Sequence, residues 1–426
     1  MKIFEVTRVT PPSNSPESAT ELCLPLTFYD LYWFKFPPVE RLFFNQLNEL
    51  TPACFNSVIL PKLKRSLSLT LLHYLPVASN LKWPPDQPKP VVLYTPNDGV
   101  PLTVAESSAD FNLLSSNGIH DAVELHPFKP ELITSDASTS TIALQITLFP
   151  NIGFCIGITA HHVVLDGKTA TMFIKSWAYI CNEGNQDNST LPLELTPFFD
   201  RSVLKGPDGL DMLYLDQWLA MSGSDSNKKS LKITTIPDTG KDLHLSTFVL
   251  TYAYVTTCMV KARGGDGDGS VLGFVVDCRS RLNPPVPENY FGNCNRGAFE
   301  VAKARDFLGE QGFVYAVEKV SGMVQALMEK GVLEGIENNL VISLDIFKQM
   351  AESEVQVITV AGSPRFGVYG TDFGWGKPLK VVIVSIDKSE AFSMAESRDG
   401  TGGVEVGVAL KKHDMEKFSS LFLKHV

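Results

Sequence analysis

The 426-residue chain is poor in the features that assign a function class at once. It has seven cysteines (Cys23, Cys54, Cys155, Cys181, Cys258, Cys278 and Cys294), an odd number without a C-x-x-C pair. Neither a disulfide framework nor a zinc ribbon is written there, and thiols among apolar neighbours behave as small hydrophobes. That pattern fits a reducing compartment. No H-E-x-x-H occurs, and His161 and His162 are adjacent, so on a strand they face opposite sides; no metal is expected. The absence of G-x-S-x-G argues against a serine hydrolase. No run of 18 apolar residues exists, so no membrane helix is expected. Met1 to Ser15 is polar and holds Pro11-Pro12, without a signal-peptide core or an Arg-rich transit pattern; a cytoplasmic location is expected. Positive charge is also short: 37 Lys and Arg against 47 Asp and Glu give a net charge of −10. Such a surface repels phosphate backbones, and Lys62, Lys64 and Arg65 read as a solvated helix face. No nucleic-acid or membrane partner is expected. No internal repeat or oligomer motif is visible, so a monomer is the expectation.

What is present is an apolar globular chain, 44% hydrophobic and 20% charged, long enough for two cores. Residues 60–73 carry leucines at helical spacing, and Pro76 is expected to stop that helix. Thr141 to Phe149 alternates as a strand, Pro150-Asn151 turns, and Gly153 to Ala160 reads as a buried strand, so a hairpin is expected. Lys168 to Ile180 follows as a helix. Residues 183–210, rich in Pro, Asn, Ser and Gly, read as a crossover. Ser246 caps a helix to about Lys261. Gly264 to Gly269 has the aspartates of a calcium loop but neither its central Gly nor its terminal Glu, and reads as a turn. Val271 to Val276 is a strand, 305–331 a helix, Gln356 to Thr359, Lys380 to Ile386, Ala391 to Ala395 and Gly403 to Ala409 strands, and Met415 to Leu423 a closing helix. The class is α/β with mixed sheets. The division is 1–185, a linker at 186–215, and 216–426.

Three segments carry candidate chemistry. His161-His162-Val163-Val164-Leu165-Asp166-Gly167 stands between a strand and a helix, where rigid elements fix side chains. A neutral imidazole can take the proton of an attacking hydroxyl at neutral pH. Asp166 either bonds His162, as in a triad, or turns away to an arginine. A satisfied core histidine is an equal alternative on these residues alone. Asp372-Phe373-Gly374-Trp375-Gly376-Lys377-Pro378 is a tight loop. Asn289 to Cys294 is a polar–aromatic loop.

The pair H-x-x-x-D-G (His162 to Gly167) and D-F-G-W-G (Asp372 to Gly376), in that order and more than 200 residues apart, resembles the plant BAHD acyltransferases. Tyr290-Phe291-Gly292-Asn293-Cys294, the opening Leu24 to Asp30 and Gly370-Thr371-Asp372 resemble the anthocyanin and flavonoid branch. Within it, the likeness is greatest to malonyltransferases of phenolic and flavonoid glucosides. The likeness spans essentially the whole chain; one departure is the stretch Lys232 to His244, shorter than the family's.

The resemblance implies two chloramphenicol-acetyltransferase-like domains with a solvent channel between them. It implies an O-acyltransferase that moves malonyl from malonyl-CoA, a co-substrate, to a sugar hydroxyl of a glucoside acceptor. His162 is then the general base, Asp166 a brace held by Arg279 or Arg281, and Asp372 the third member of the candidate catalytic set, in a loop near the oxyanion donor. Lys261, Arg279, Ser280 and Arg281 are the candidates for the CoA phosphates and Lys168 for the malonyl carboxylate. Trp375 and Asn293 are candidates for acceptor contact. The alternatives are a hydroxycinnamoyl- or acetyl-CoA-dependent enzyme on the same scaffold, and a non-catalytic small-molecule binding protein.

Overall fold

The alternation of Ile142–Phe149 produces a strand, and the chain returns as the antiparallel strand Gly153–Ala160 after a turn in which Asn151 has φ 67°. Both strands are buried along their whole length. Leu144, Ile146 and Leu148 enter the main core. The polar residues of the hairpin's other face are also covered: Gln145 Nε2 donates to Pro127 O at 2.8 Å and Thr159 Oγ1 to Pro130 O at 2.5 Å. Gly157 permits this cover, because a Cβ there would lie 1.9 Å from Phe128 O.

This is a computed structural model, and it describes residues 1–183, 190–221, 243–264, 269–352, 355–389 and 391–424. Most of the Lys232 to His244 departure and most of the Gly264 to Gly269 turn lie outside the described residues.

The hairpin is the centre of a six-stranded mixed sheet. Its spatial order is Lys2–Val9, Val100–Glu106, Ile142–Phe149, Gly153–Ala160, Val39–Gln46 and Lys380–Ile383. The last strand comes from the second half of the chain and pairs antiparallel with Val39–Gln46. The two halves thus share a sheet. A second, five-stranded sheet runs Asn295–Ala302, Ser270–Asp277, Gln356–Ala361, Phe392–Glu396 and Val404–Val408. Its three central strands are parallel and its edges antiparallel. A four-stranded sheet of Leu22–Pro25, Val91–Tyr94, Asn80–Lys82 and Ser138–Ser140 completes the first half.

Helices Leu60–His73 and Gly167–Glu183 cover the first sheet, with Leu63, Leu67, Leu71 and Trp177 fully buried. Trp177 Nε1 donates to Leu63 O and Ser66 Oγ, both at 3.1 Å, which locks the pair. In the second half Thr247–Arg263 packs on Gly312–Lys330; Ser246 Oγ accepts from Val249 N at 3.3 Å, and Gly264 ends the helix with φ 81°.

Several expected boundaries move. The first long helix ends at His73, but Pro76 opens a further turn, Leu75–Ala78, because a helix's first turn tolerates a missing N–H. The helix expected from 305 starts at Gly312; a Cβ there would lie 2.0 Å from Phe307 O, so the chain doubles back on itself first. The strand expected to Ile386 stops at Ile383, and a 3-10 stretch follows. All seven cysteines are free thiols. Among the described residues no helix is long and apolar enough to cross a membrane, and no cluster of potential metal ligands occurs.

Candidate active site

Three strands end against one another across the molecule. Gly153–Ala160 leads into His161 and His162, Ser270–Asp277 into Arg279 to Arg281, and Gln356–Ala361 into Gly362 to Phe366. A cavity of about 1670 Å³ lies between the halves and is lined by residues of all three segments, His162 among them.

His162 is held by its surroundings rather than by a carboxylate. Trp33 lies flat on the imidazole, with ring centroids 3.8 Å apart and planes 4° apart. Trp33 is fixed in turn, its Nε1 donating to Asn295 Oδ1 at 2.9 Å. Asn293 Nδ2 donates to His162 O at 2.9 Å. His162 Nδ1 and Asn293 Oδ1 are both buried without a hydrogen-bond partner, which leaves Nε2 as the nitrogen able to meet a hydroxyl. Burial pushes the imidazole down to about 4, and the charge of Asp166 only partly opposes this. His161, half-buried like His162, is lowered to about 4 by the same cause. At neutral pH His162 is uncharged and able to accept a proton.

Asp166 faces away from His162. Its Oδ1 accepts from Thr169 N at 2.7 Å, capping the first turn of the following helix, and its Oδ2 accepts from Arg279 Nη2 at 2.9 Å. Of the two arginines that sequence leaves open, the partner is therefore Arg279. Its guanidinium, 1% exposed, also donates to Asp277 Oδ1, Thr169 Oγ1, Tyr290 O and Gly292 O. Burial opposes its charge, yet Asp166 and Asp277 hold its pKa above the usual arginine range. The brace ties the histidine loop to the Tyr290 loop across the halves.

The remaining candidates divide. Ser280 and Arg281 are exposed at the cavity wall, as expected of groups that would meet a phosphate. Arg279 also borders the cavity, but both its Nη groups are bonded internally and its unpartnered Nε is buried, so it does not present a free fork to CoA. Lys261 does not line the cavity at all. Ser246, Thr247 and Phe248 do, so the opposite end of that helix faces the site, and at 1.5 Å per residue Lys261 is about 20 Å away along it. Lys168 lines the cavity but is ion-paired with Asp277 at 3.2 Å and with Glu288. Neither Asp372 nor Trp375 lines it. Asp372 Oδ1 accepts from Gly374 N at 2.8 Å and Gly376 N at 2.9 Å, which folds the loop on itself. Trp375 packs edge-on to Phe154, with Lys62 4.8 Å from its ring. This loop contacts the first half, away from the cavity. Asn293 is fully buried and holds His162 and Asp30, so it does not meet an acceptor.

Sequence reasoning missed Trp33 and Asp30. Asp30 is fully buried in a capping box with Thr27 and accepts from Asn293 N and Nδ2, both at 3.1 Å. The Thr27-x-x-Asp30 spacing was a readable signal for that helix start. No periodicity could have shown that Trp33 meets His162.

A family model described as the Transferase family matches residues 1–424. Phenolic glucoside malonyltransferase 1 of Arabidopsis thaliana is 47% identical over 100% of this chain and 97% of its own length. Malonyl-CoA:anthocyanidin 5-O-glucoside-6''-O-malonyltransferase of the same plant is 46% identical over 99% and 97%. Agmatine coumaroyltransferase, also of Arabidopsis thaliana, is 41% identical over 100% and 99%. Among solved structures, vinorine synthase superposes with a TM-score of 0.66 at 20% identity, over 100% of this chain and 98% of that one.

Proposed function

The chain belongs to the Transferase family, the BAHD acyltransferases, whose acyl donor is an acyl-CoA, and we propose that it transfers malonyl to a sugar hydroxyl of a phenolic or flavonoid glucoside. The observation that carries the reading is a neutral, stacked His162 in a cavity bordered by both halves, beside relatives named as glucoside malonyltransferases. The acceptor hydroxyl gives its proton to His162 Nε2 as its oxygen attacks the thioester carbonyl. The tetrahedral intermediate collapses, the C–S bond breaks, and the imidazolium returns the proton to the leaving thiolate. Asp166 takes no part in proton transfer; with Arg279 it keeps the loop in place. Ser280 and Arg281 at the wall receive the CoA phosphates.

A second reading, a hydroxycinnamoyl donor, is favoured by the coumaroyltransferase relative. A donor panel with one phenolic glucoside separates them. Malonyl-CoA is expected to be turned over well ahead of p-coumaroyl-CoA and acetyl-CoA, and equal rates with malonyl- and p-coumaroyl-CoA would sink the malonyl assignment.

A further inference from the structure

Malonyl differs from acetyl by one carboxylate, a single methylene away from the thioester carbonyl. A cation that reads it must stand on the cavity wall near His162, because the reacting carbon is there. It must also be uncommitted, since an anion brought into a site without a partner is costly. Most cavity-lining cations fail one requirement. Lys168 is held by Asp277 and Glu288, and Arg279 by Asp166 and Asp277. Lys388 pairs with Glu40 at 3.0 Å, and Lys175 is only half-buried and donates to Phe366 O at 2.6 Å, so neither is a buried charge without a partner. Lys35, Arg281 and Arg365 are exposed, where water already satisfies them.

Arg41 is the exception. It is 4% exposed and lines the same cavity as His162. Its guanidinium makes no ion pair among the described residues. Nη1 donates to Thr171 Oγ1 at 2.6 Å, Nη2 reaches only Gly167 O at 3.4 Å, and Nε has no partner. Neither nearby carboxylate bonds it: Asp166 pairs with Arg279, and Glu396 accepts from Tyr369 N at 2.7 Å through Oε1 while its Oε2 has no hydrogen-bond partner. Burial lowers its pKa to about 10, and Asp166 and Glu396 act on it only from a distance. A buried cation without a counter-ion is costly in the empty enzyme and is relieved by an incoming anion. The position also suits the reaction. Val39 pairs with Ala160, so Arg41 sits beside Ile158, and His162 follows two residues beyond Ala160.

We infer that Arg41 is the residue that receives the free carboxylate of the malonyl group. The inference rests on the malonyl reading above. The guanidinium borders the cavity, and the donor carboxylate supplies its missing counter-charge.

The test compares kcat/KM for malonyl-CoA and acetyl-CoA with one phenolic glucoside, in wild type and Arg41→Met. The malonyl-to-acetyl ratio should fall about thirtyfold or more, the usual loss when one partner of a buried charge pair is removed. Arg41→Lys keeps the charge without the fork and should fall between the two. An unchanged ratio, or an equal fall with both donors in a folded variant, overturns the inference. If both variants fail to fold, a wild-type crystal structure with malonyl-CoA decides. Arg41 nitrogens at about 3 Å from the free carboxylate support the inference, and a carboxylate paired with another residue overturns it. A wild-type enzyme that ignores malonyl-CoA contradicts the proposed function instead, so the two failures are distinct.

Discussion

Trp33 stacks face to face on His162, with ring centroids 3.8 Å apart, and thereby joins the aromatic N-terminal segment to the one histidine positioned to take a proton. A neutral imidazole gains little from that contact beyond packing. An imidazolium gains a cation–π attraction. The stack therefore favours the charge that appears on His162 as the acceptor hydroxyl is deprotonated.

Replacement of Trp33 follows from this. Trp33→Ala should lower kcat more than it raises KM, by about 2- to 30-fold for a cation–π contact of this kind. Trp33→Phe should recover much of the loss, because a ring face is restored. A change confined to KM would show that Trp33 only shapes the acceptor pocket.

The Asp166–Arg279 pair separates a brace from a triad. Asp166→Ala leaves a buried guanidinium without its main partner and should cost about 3–5 kcal/mol of stability. The acid limb of the rate profile should move only slightly, and to lower pH, in Asp166→Asn, since the carboxyl acts on His162 through its charge without touching it. Thermal unfolding and a pH profile of the two variants check this. A large displacement of the acid limb with unchanged stability would restore the triad.

Acidification has a defined sign. His161 and His162 are held near 4 in the folded protein by burial, below the usual 6.5. The unfolded chain therefore binds more protons than the folded one between about 6.5 and 4. The contribution of these two groups is complete above pH 6.5 and is lost progressively as pH falls to about 4. Activity that depends on neutral His162 should accordingly persist below pH 6.5. An acid limb of kcat/KM at the ordinary histidine pKa would contradict an uncharged, partly desolvated base.

The glycine–tryptophan loop and the displaced lysine give a paired control. Asp372→Ala removes two backbone hydrogen bonds and should lower stability by about 1–3 kcal/mol while KM for acyl-CoA stays constant. Lys261→Ala should leave that KM unchanged as well, whereas Arg281→Ala should raise it. Steady-state kinetics with varied acyl-CoA test all three, and a raised KM in Lys261→Ala would return it to the phosphate site.

Much of this was legible in the sequence because local chemistry decides it. Alternation in Ile142–Phe149 and the turn after it specify the hairpin, and Ser246 and Gly264 bracket their helix with the residue types that caps require. The position of His162 between a strand and a helix follows from those elements. Roles that depend on which end of an element faces the cavity were not legible. Lys261 was placed correctly on its helix but at the end away from the site, and Lys168 gave no sign of its partners Asp277 and Glu288. Trp33 and Arg41 stand in segments whose apolar pattern reads as core, and only the pairing of Val39–Gln46 with Gly153–Ala160 brings that strand beside the histidine. Charge choice between Arg279 and Arg281 was likewise tertiary: one side chain turns inward and is buried, and its neighbour two residues on is exposed.

The most direct measurement is malonyl transfer to a phenolic glucoside by His162→Ala, read as CoA release beside wild type, with malonyl-CoA binding followed separately. The account predicts a folded protein that binds malonyl-CoA as before and turns over about 10²- to 10⁴-fold more slowly, the usual loss of a general base. Turnover at the wild-type rate would contradict it.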